Sequence, residues 1–236
     1  MKTVFYFLIT LLFSSLALSQ TAEEYLKRGL KKSETNNYKG AVENYTKAIK
    51  LKPNYVEAYY WRGRSKTGLG DEHGAIEDFT KAIELTPDNP GGYYLRGRSK
   101  ASLEDYRGAI LDFTKAIELK PNYVEAYYYN RGLAKYALKD FRGSIVDYTK
   151  TIELDSDDAN AYSSRGIAKA SLEDYRGAIL DFTKAIELNP DHANAYCGRG
   201  FAKIGLKQID SGCLDLSKAG EMGFSSAYDA IKEYCN

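Results

Sequence analysis

The pattern of apolar and polar positions along this chain repeats about every 34 residues. Each repeat consists of two segments of about 17 residues. In "GAIEDFTKAIELTP", the apolar residues Ala75, Phe79 and Ile83 recur at the spacing of one helical face. The stretch before it, "VEAYYWRGRSKTGLG", holds residues that favour helices and ends near two glycines. The pattern therefore predicts pairs of short helices, with a proline such as Pro87 opening the turn to the next pair.

The helix pair recurs along the chain, in one case letter for letter. The segment "KASLEDYRGAILDFTKAIEL" occupies residues 100–119 and again residues 169–188. The isoleucine of the "KAI" or "KTI" motif recurs in steps of 34, 34, 35 and 34 residues, at Ile49, Ile83, Ile117, Ile152 and Ile186. A single helix pair cannot bury its own apolar face, so a period of this length predicts an array of stacked pairs.

This unit resembles the tetratricopeptide repeat. At the positions of the family pattern the second unit has Tyr59, Arg62, Gly63, Lys66, Ala75, Phe79 and Pro87, of which Arg62 and Lys66 differ from the family residues. The resemblance implies an all-α fold, a right-handed superhelical solenoid of stacked helix-turn-helix repeats with a C-terminal capping helix. We expect six tandem repeats and then the capping helix, at residues 22–55, 56–89, 90–123, 124–158, 159–192, 193–220 and 224–236.

Every unit departs from the family pattern at two positions. Arg stands where the family has Leu, and Lys stands four residues later where the family has Tyr. The arginines are Arg28, Arg62, Arg96, Arg131, Arg165 and Arg199, and the lysines are Lys32, Lys66, Lys100, Lys135, Lys169 and Lys203. On the second helix Asp78, Asp112, Asp147, Asp181 and Asp215 recur, with Asn44 in the first unit. The pattern predicts either a charged strip that binds a ligand or ion pairs inside each unit, and the repetition favours ion pairs.

One repeat is 35 residues long. The motif "PNYVEAYY" stands at residues 53–60 and 121–128, and the second copy reaches its arginine one residue later. The extra residue lies between Tyr127 and Arg131, near Asn130, inside a predicted helix. It is absorbed either as a π-bulge, a feature often found at functional sites, or as a shift of the helix start.

The N-terminus predicts export. Lys2 precedes an apolar run over residues 4–13, and the small residues Ala17 and Ser19 have the spacing of a signal-peptidase site. We expect residues 1–19 to be a signal peptide cleaved after Ser19, which would make the protein periplasmic or extracellular. An uncleaved membrane anchor is the alternative, although the run is short for a membrane span.

Export to an oxidising compartment makes a disulfide possible. Cys213 lies on the last repeat helix and Cys235 at the end of the capping helix. If these two helices are antiparallel, the cysteines come near each other, so a Cys213–Cys235 bond is expected. Cys197 would then be a free thiol with a packing role.

Composition argues against several classes of function. The net charge of the 236 residues is +1 and no basic stripe is present, which disfavours nucleic acid as a partner. The two histidines, His73 and His192, have no metal-ligand spacing, and no catalytic or phosphate-binding motif is found. We therefore expect no enzyme activity, no cofactor, no metal and no small-molecule substrate, and membrane contact is disfavoured once the signal is removed.

The resemblance implies a scaffold for protein–protein interaction, whose groove is lined by the first helix of each repeat. The groove positions carry Tyr60, Arg64, Tyr94, Arg98 and Tyr128, residue types that are enriched at binding hot spots. Our hypothesis is that they bind an acidic, extended segment of an envelope protein. The alternatives are that the tyrosines only pack between helices, or that the chain is a structural or self-assembling solenoid without a groove ligand.

Overall fold

A computed structural model describes residues 21–120 and 125–235, and these residues form thirteen α-helices and no β-strand. The described residues up to Leu119 form one compact unit, and those from Lys120 onward form another. The helices of the N-terminal unit are α1 (residues 21–34), α2 (Tyr38–Leu51), α3 (Val56–Gly68), α4 (Glu72–Leu85), α5 (Pro90–Ser102) and α6 (Tyr106–Leu119). Those of the C-terminal unit are α7 (Glu125–Ala137), α8 (Phe141–Leu154), α9 (Ala159–Ala170), α10 (Tyr175–Leu188), α11 (Ala193–Gly205), α12 (Ile209–Glu221) and α13 (Ser226–Tyr234).

The predicted signal peptide, residues 1–19, lies outside the described residues. Among residues 21–120 and 125–235, none of the helices combines the length and the apolar character that a bilayer crossing requires. Export therefore stays an expectation based on the sequence of the first 19 residues.

Short polar turns separate the two helices of a pair. Asp71 precedes α4 and its carboxylate accepts a hydrogen bond from the amide of Gly74, at 2.9 Å. Asp140 and Asp174 cap α8 and α10 in the same way. The cap satisfies an amide at the helix start that has no partner within the helix, so these aspartates define where each second helix begins.

Within each compact unit, consecutive helices pack against one another, as expected for stacked helix pairs. In the first five repeats the second helix contributes a buried ring and the first helix contributes a glycine opposite that ring, and in the sixth repeat Leu216 takes the place of the ring. A Cβ atom on Gly63 would lie 2.7 Å from Phe79, and one on Gly97 would lie 2.8 Å from Phe113. The absence of a side chain on the first helix therefore allows the close approach of the pair.

The 35-residue repeat contains no π-bulge in the part that the structure describes. Helix α7 is α-helical at every residue from 125 to 137. The connection between Leu119 and Glu125 has five residues, whereas the one between Leu85 and Pro90 has four. The extra residue therefore lies before α7, which supports the shifted helix start and not the bulge.

Helix α13 covers the end of the C-terminal unit. Its buried residues Ala227 and Ala230 pack with Leu216 and Ala219 of α12. A disulfide joins Cys213 to Cys235, with their Cα atoms 5.9 Å apart, and Cys197 is a free, buried thiol in the same cluster. Both features agree with the expectation from the sequence, and the helix itself covers most of the predicted segment 224–236.

We predict one free thiol in the mature protein when it is unfolded without reductant, because Cys197 alone would react with a maleimide label. Replacing Cys213 and Cys235 together by alanine should lower the free energy of unfolding by about 3 kcal/mol, since the bond closes a loop of 22 residues. Mass spectrometry of the labelled chain counts the thiols, and three labelled thiols would contradict the disulfide.

Candidate functional site

A buried Arg–Lys–Asp cluster lies between the two helices of each repeat from the second to the sixth. In the second repeat, Asp78 accepts hydrogen bonds from Nε and Nη2 of Arg62 at 2.8 and 2.6 Å. The ammonium of Lys66 lies 3.0 Å from the same carboxylate, whose side chain is only 3% exposed. The other clusters are Arg96–Lys100–Asp112, Arg131–Lys135–Asp147, Arg165–Lys169–Asp181 and Arg199–Lys203–Asp215.

The arginine of a cluster also reaches the preceding repeat. Nη1 of Arg62 donates to Oγ1 of Thr46 on α2, at 3.1 Å. The same bond joins Arg96 to Thr80, Arg165 to Thr149 and Arg199 to Thr183. Each of these four guanidinium groups therefore links three helices through bonds of fixed direction. The arginines of the clusters are structural ion-pair residues, as the repetition predicted.

The first repeat lacks the cluster. Asn44 donates to the carbonyl oxygen of Gly40 and forms no bond to Arg28. Arg28 lies 3.6 Å from Glu24 instead, and both side chains are more than 60% exposed. The expectation of an ion pair between the helices of every repeat is therefore wrong for this one, because an amide in place of the aspartate cannot attract the arginine inward.

We predict that Arg96→Leu destabilises the fold by about 3–5 kcal/mol, because Asp112 stays buried with Lys100 as its remaining partner. Adding Asp112→Tyr, which restores the family residues at both positions, should recover most of this loss. Thermal and urea unfolding measure both variants. Glu118→Gln, which removes an exposed pair with Lys115, is the control and should change stability by less than about 1 kcal/mol. A double variant that is as unstable as the sum of two single variants, Arg96→Leu and Asp112→Tyr, would contradict the ion-pair interpretation.

The groove residues of the N-terminal unit lie on α3 and α5. Tyr60 and Tyr94 are half-buried, and their rings pack on Phe79 and Phe113 with centroids 6.3 and 6.0 Å apart. Both tyrosines therefore pack between helices, which was the alternative to a binding role. Two exposed arginines lie beside them: the guanidinium of Arg64 is 4.8 Å from the ring of Trp61, and that of Arg98 is 5.9 Å from the ring of Tyr94.

Two cavities adjoin these arginines. One of about 340 Å³ is lined by Leu30, Glu34, Trp61 and Arg64, among others. A second, of about 250 Å³, is lined by Arg64, Glu72, Phe79, Leu95 and Arg98, together with hydroxyl groups of α3 and α5. Arg64 lines both cavities. We call this pair of cavities the α1–α5 trough.

Tyr128 lies at a different position of its repeat from Tyr60 and Tyr94. Its ring lies 5.6 Å from the guanidinium of Arg131, as the ring of Tyr59 lies 5.5 Å from that of Arg62. The residue that corresponds to Tyr60 is Tyr129, whose ring packs on Tyr148. The two copies of "PNYVEAYY" differ by one position in the fold, because the extra residue precedes α7. The Arg-Gly pairs of the repeats are equivalent in position, so they show which tyrosine corresponds to Tyr60.

The described residues contain no group of three His, Cys, Asp or Glu side chains that could hold a metal ion. His73 is exposed on α4. His192 precedes α11, and its Nε2 is buried without a hydrogen-bond partner in the described part of the chain. Burial disfavours the imidazolium and lowers the pKa of His192 below its usual value.

This pKa shift predicts a loss of stability in acid. The unfolded chain binds the His192 proton more readily than the folded chain does, so the contribution of neutral His192 is present above about pH 6.5 and is lost as the pH falls below that value. Unfolding measured between neutral and mildly acidic pH should show a smaller decrease for His192→Gln than for the wild type. His73→Gln is the control and should behave like the wild type, and equal pH dependence in all three proteins would contradict the assignment.

Comparison with known proteins supports the helix-pair architecture. Models described as "Tetratricopeptide repeat" or "TPR repeat" match residues 29–70, 56–89, 90–123, 125–158 and 159–192. A search of the curated proteins found no match.

Solved structures with a similar fold include a MamA protein, with 29% identity and a TM-score of 0.69, over 74% of this chain and 94% of that one. YrrB, described as a TPR protein with an unusual peptide-binding site, has 23% identity and a TM-score of 0.69, over 81% and 100% of the two chains. PilF of Pseudomonas aeruginosa has 14% identity and a TM-score of 0.75, over 92% and 99%. The likeness to the last two carries the fold alone.

Proposed function

Because this chain belongs to the tetratricopeptide-repeat family, we propose that it is an exported, non-catalytic scaffold that binds a segment of a partner protein in the α1–α5 trough. Export is inferred from the N-terminal sequence, and the disulfide between Cys213 and Cys235 is of the kind that persists in oxidising compartments. Fold alone does not define a function, so the proposal depends on the residues of the trough.

The observation that carries the proposal is the contrast between two sets of arginines. The arginines of the Arg–Lys–Asp clusters use their donors on aspartate and threonine within the fold. Within the described residues, Arg64 and Arg98 form no ion pair and no hydrogen bond, and each is exposed beside an aromatic ring. A guanidinium held on a ring keeps its planar donors available for a carboxylate.

The trough accordingly fits an extended segment that carries acidic residues. Tyr60 and Tyr94 are not among the residues that line the two cavities. They pack on the buried rings of Phe79 and Phe113 and so support α3 and α5, the helices that carry the two arginines. The groove residues of the C-terminal unit are of another type: Leu133, Ile167 and Phe201 are each 39–44% exposed. We propose that the charged recognition belongs to the N-terminal unit. Tyr128 is assigned to a structural contact with Arg131 in this proposal.

We predict that reversing both charges, Arg64→Glu with Arg98→Glu, abolishes capture of the native partner by the mature protein. Circular dichroism and melting should be unchanged, because both side chains are exposed and leave the packed helices intact. The matched control is Lys39→Glu with Arg107→Glu, which makes the same change in net charge at exposed positions of α2 and α6. Quantitative affinity capture from the native envelope compares the three proteins, and equal capture by all of them would show that the partner binds elsewhere.

A self-assembling solenoid is the second candidate, and one feature favours it. In the C-terminal unit, Val146, Leu180 and Leu214 occupy equivalent positions on the second helices and are 67–72% exposed. Exposed apolar residues repeated in this way are typical of interaction surfaces. Sedimentation of the wild type and of Leu180→Glu distinguishes the candidates, because a self-assembling chain would become smaller on substitution, whereas a monomeric scaffold would be unchanged.

A further inference from the structure

The lining of the second cavity of the α1–α5 trough includes a residue at which one repeat departs from the others. The first residue of each second helix is aromatic in four of the six repeats and isoleucine in the last, at Tyr38, Tyr106, Phe141, Tyr175 and Ile209. The second repeat has Glu72 at this position. Tyr38 and Tyr175 pack against the end of the next first helix, where a Cβ on Gly68 or Gly205 would lie 2.9 Å from the ring. Glu72 places a carboxylate instead of a ring at the corresponding position beside Ser102, and both residues line the cavity of about 250 Å³.

The carboxylate of Glu72 belongs to the lining of this cavity, and the residue is partly exposed. Its Oε2 is inaccessible and has no hydrogen-bond partner among the described residues, so nothing within that part of the chain neutralises this oxygen. A carboxylate beside an open cavity favours a cation there. Leu95, which is also partly exposed, lines the same cavity and offers apolar contact to an aliphatic stem.

Charges of both signs therefore line the trough. Glu34 and Arg64 line the first cavity, and Arg64, Glu72 and Arg98 line the second. Two positive and two negative side chains leave the trough without net charge, so a purely acidic segment would meet repulsion from both carboxylates. A segment with both signs would pair with all four groups, and like-charge contacts would exclude other partners.

We propose that the segment bound in the trough carries mixed charge: its carboxylates pair with Arg64 and Arg98, and a lysine side chain enters the second cavity and pairs with the carboxylate of Glu72. The stem of this lysine lies on Leu95. This inference rests on the proposed function and refines it, since it replaces an acidic segment by one that alternates in sign.

Synthetic peptides of equal length test the proposal on the mature protein with its disulfide intact. One peptide places Asp and Lys alternately among Ser residues, one contains Asp and Ser, one contains Lys and Ser, and one is Ser alone. Fluorescence anisotropy measures binding at low salt. The wild type should prefer the mixed peptide over the Asp peptide by about tenfold or more, the range of one buried, charge-assisted bond.

The variant Glu72→Gln keeps the shape of the side chain and removes its charge. It should weaken binding of the mixed peptide by about tenfold and leave the Asp peptide equal or tighter, so that the preference disappears. Glu77→Gln, an exposed carboxylate on the same helix, is the matched control and should keep the preference of the wild type. A wild type without preference for the mixed peptide, or an unchanged preference in Glu72→Gln, overturns the mixed-charge inference.

The double variant Arg64→Glu with Arg98→Glu separates this inference from the proposed function. If it loses the Asp and mixed peptides while Glu72→Gln has no effect on the preference, the trough binds acidic segments and only the lysine contact is wrong. If Glu72→Gln raises affinity for the Asp peptide without lowering that for the mixed peptide, Glu72 acts only as a repulsive neighbour, and the lysine contact is again overturned. If no variant changes binding of any peptide, the trough is not the binding surface and both proposals fail.

Discussion

The buried aspartate of each repeat, and the need to neutralise it, constrains the helix pairs from the second repeat to the sixth. A carboxylate with a few per cent exposure is costly unless cations and donors surround it. Arg meets that need with two parallel bonds, and Lys occupies the remaining side of one oxygen. Because a bidentate pair is satisfied at only one separation and angle, the charges define how the two helices of a repeat face each other.

The same arginine connects neighbouring repeats within a compact unit. Its third donor reaches a threonine on the second helix of the preceding repeat, and its face lies over a tyrosine three residues earlier in its own helix. The donors of the cluster arginines are therefore almost all used within the fold, and the clusters offer few charged groups to a ligand. What remains for binding is the set of charged residues that are not shared by all repeats, above all Arg64, Arg98 and Glu72 in the N-terminal unit.

The one-residue insertion shows which contacts resist change. Gly132 faces the ring of Tyr148 and Arg131 pairs with Asp147, as the equivalent residues do in the second repeat. An added residue in the connection before Glu125 disturbs neither contact. Helix α7 therefore keeps its alignment with α8. The residues before Arg131 are offset by one position from the matching letters of the second repeat, so Tyr127 lies where other repeats have a small buried residue such as Ala58.

The sequence by itself determined the helix pairs, their period, the cysteine pair and the existence of internal ion pairs, because each of these depends on residues that recur or on spacing along one helix. The tertiary structure alone decided the questions that involve distance between helices. It showed that the extra residue precedes α7, that Arg28 is exposed and does not pair with Asn44, and that Glu72 lines a cavity with Arg64 and Arg98. Glu72 had a signal in the sequence, since it replaces an aromatic or apolar residue at a repeated position. Its meaning depends on the cavity that it lines with residues of α3 and α5, and such a cavity is set by packing across helices and not by the order of residues within one.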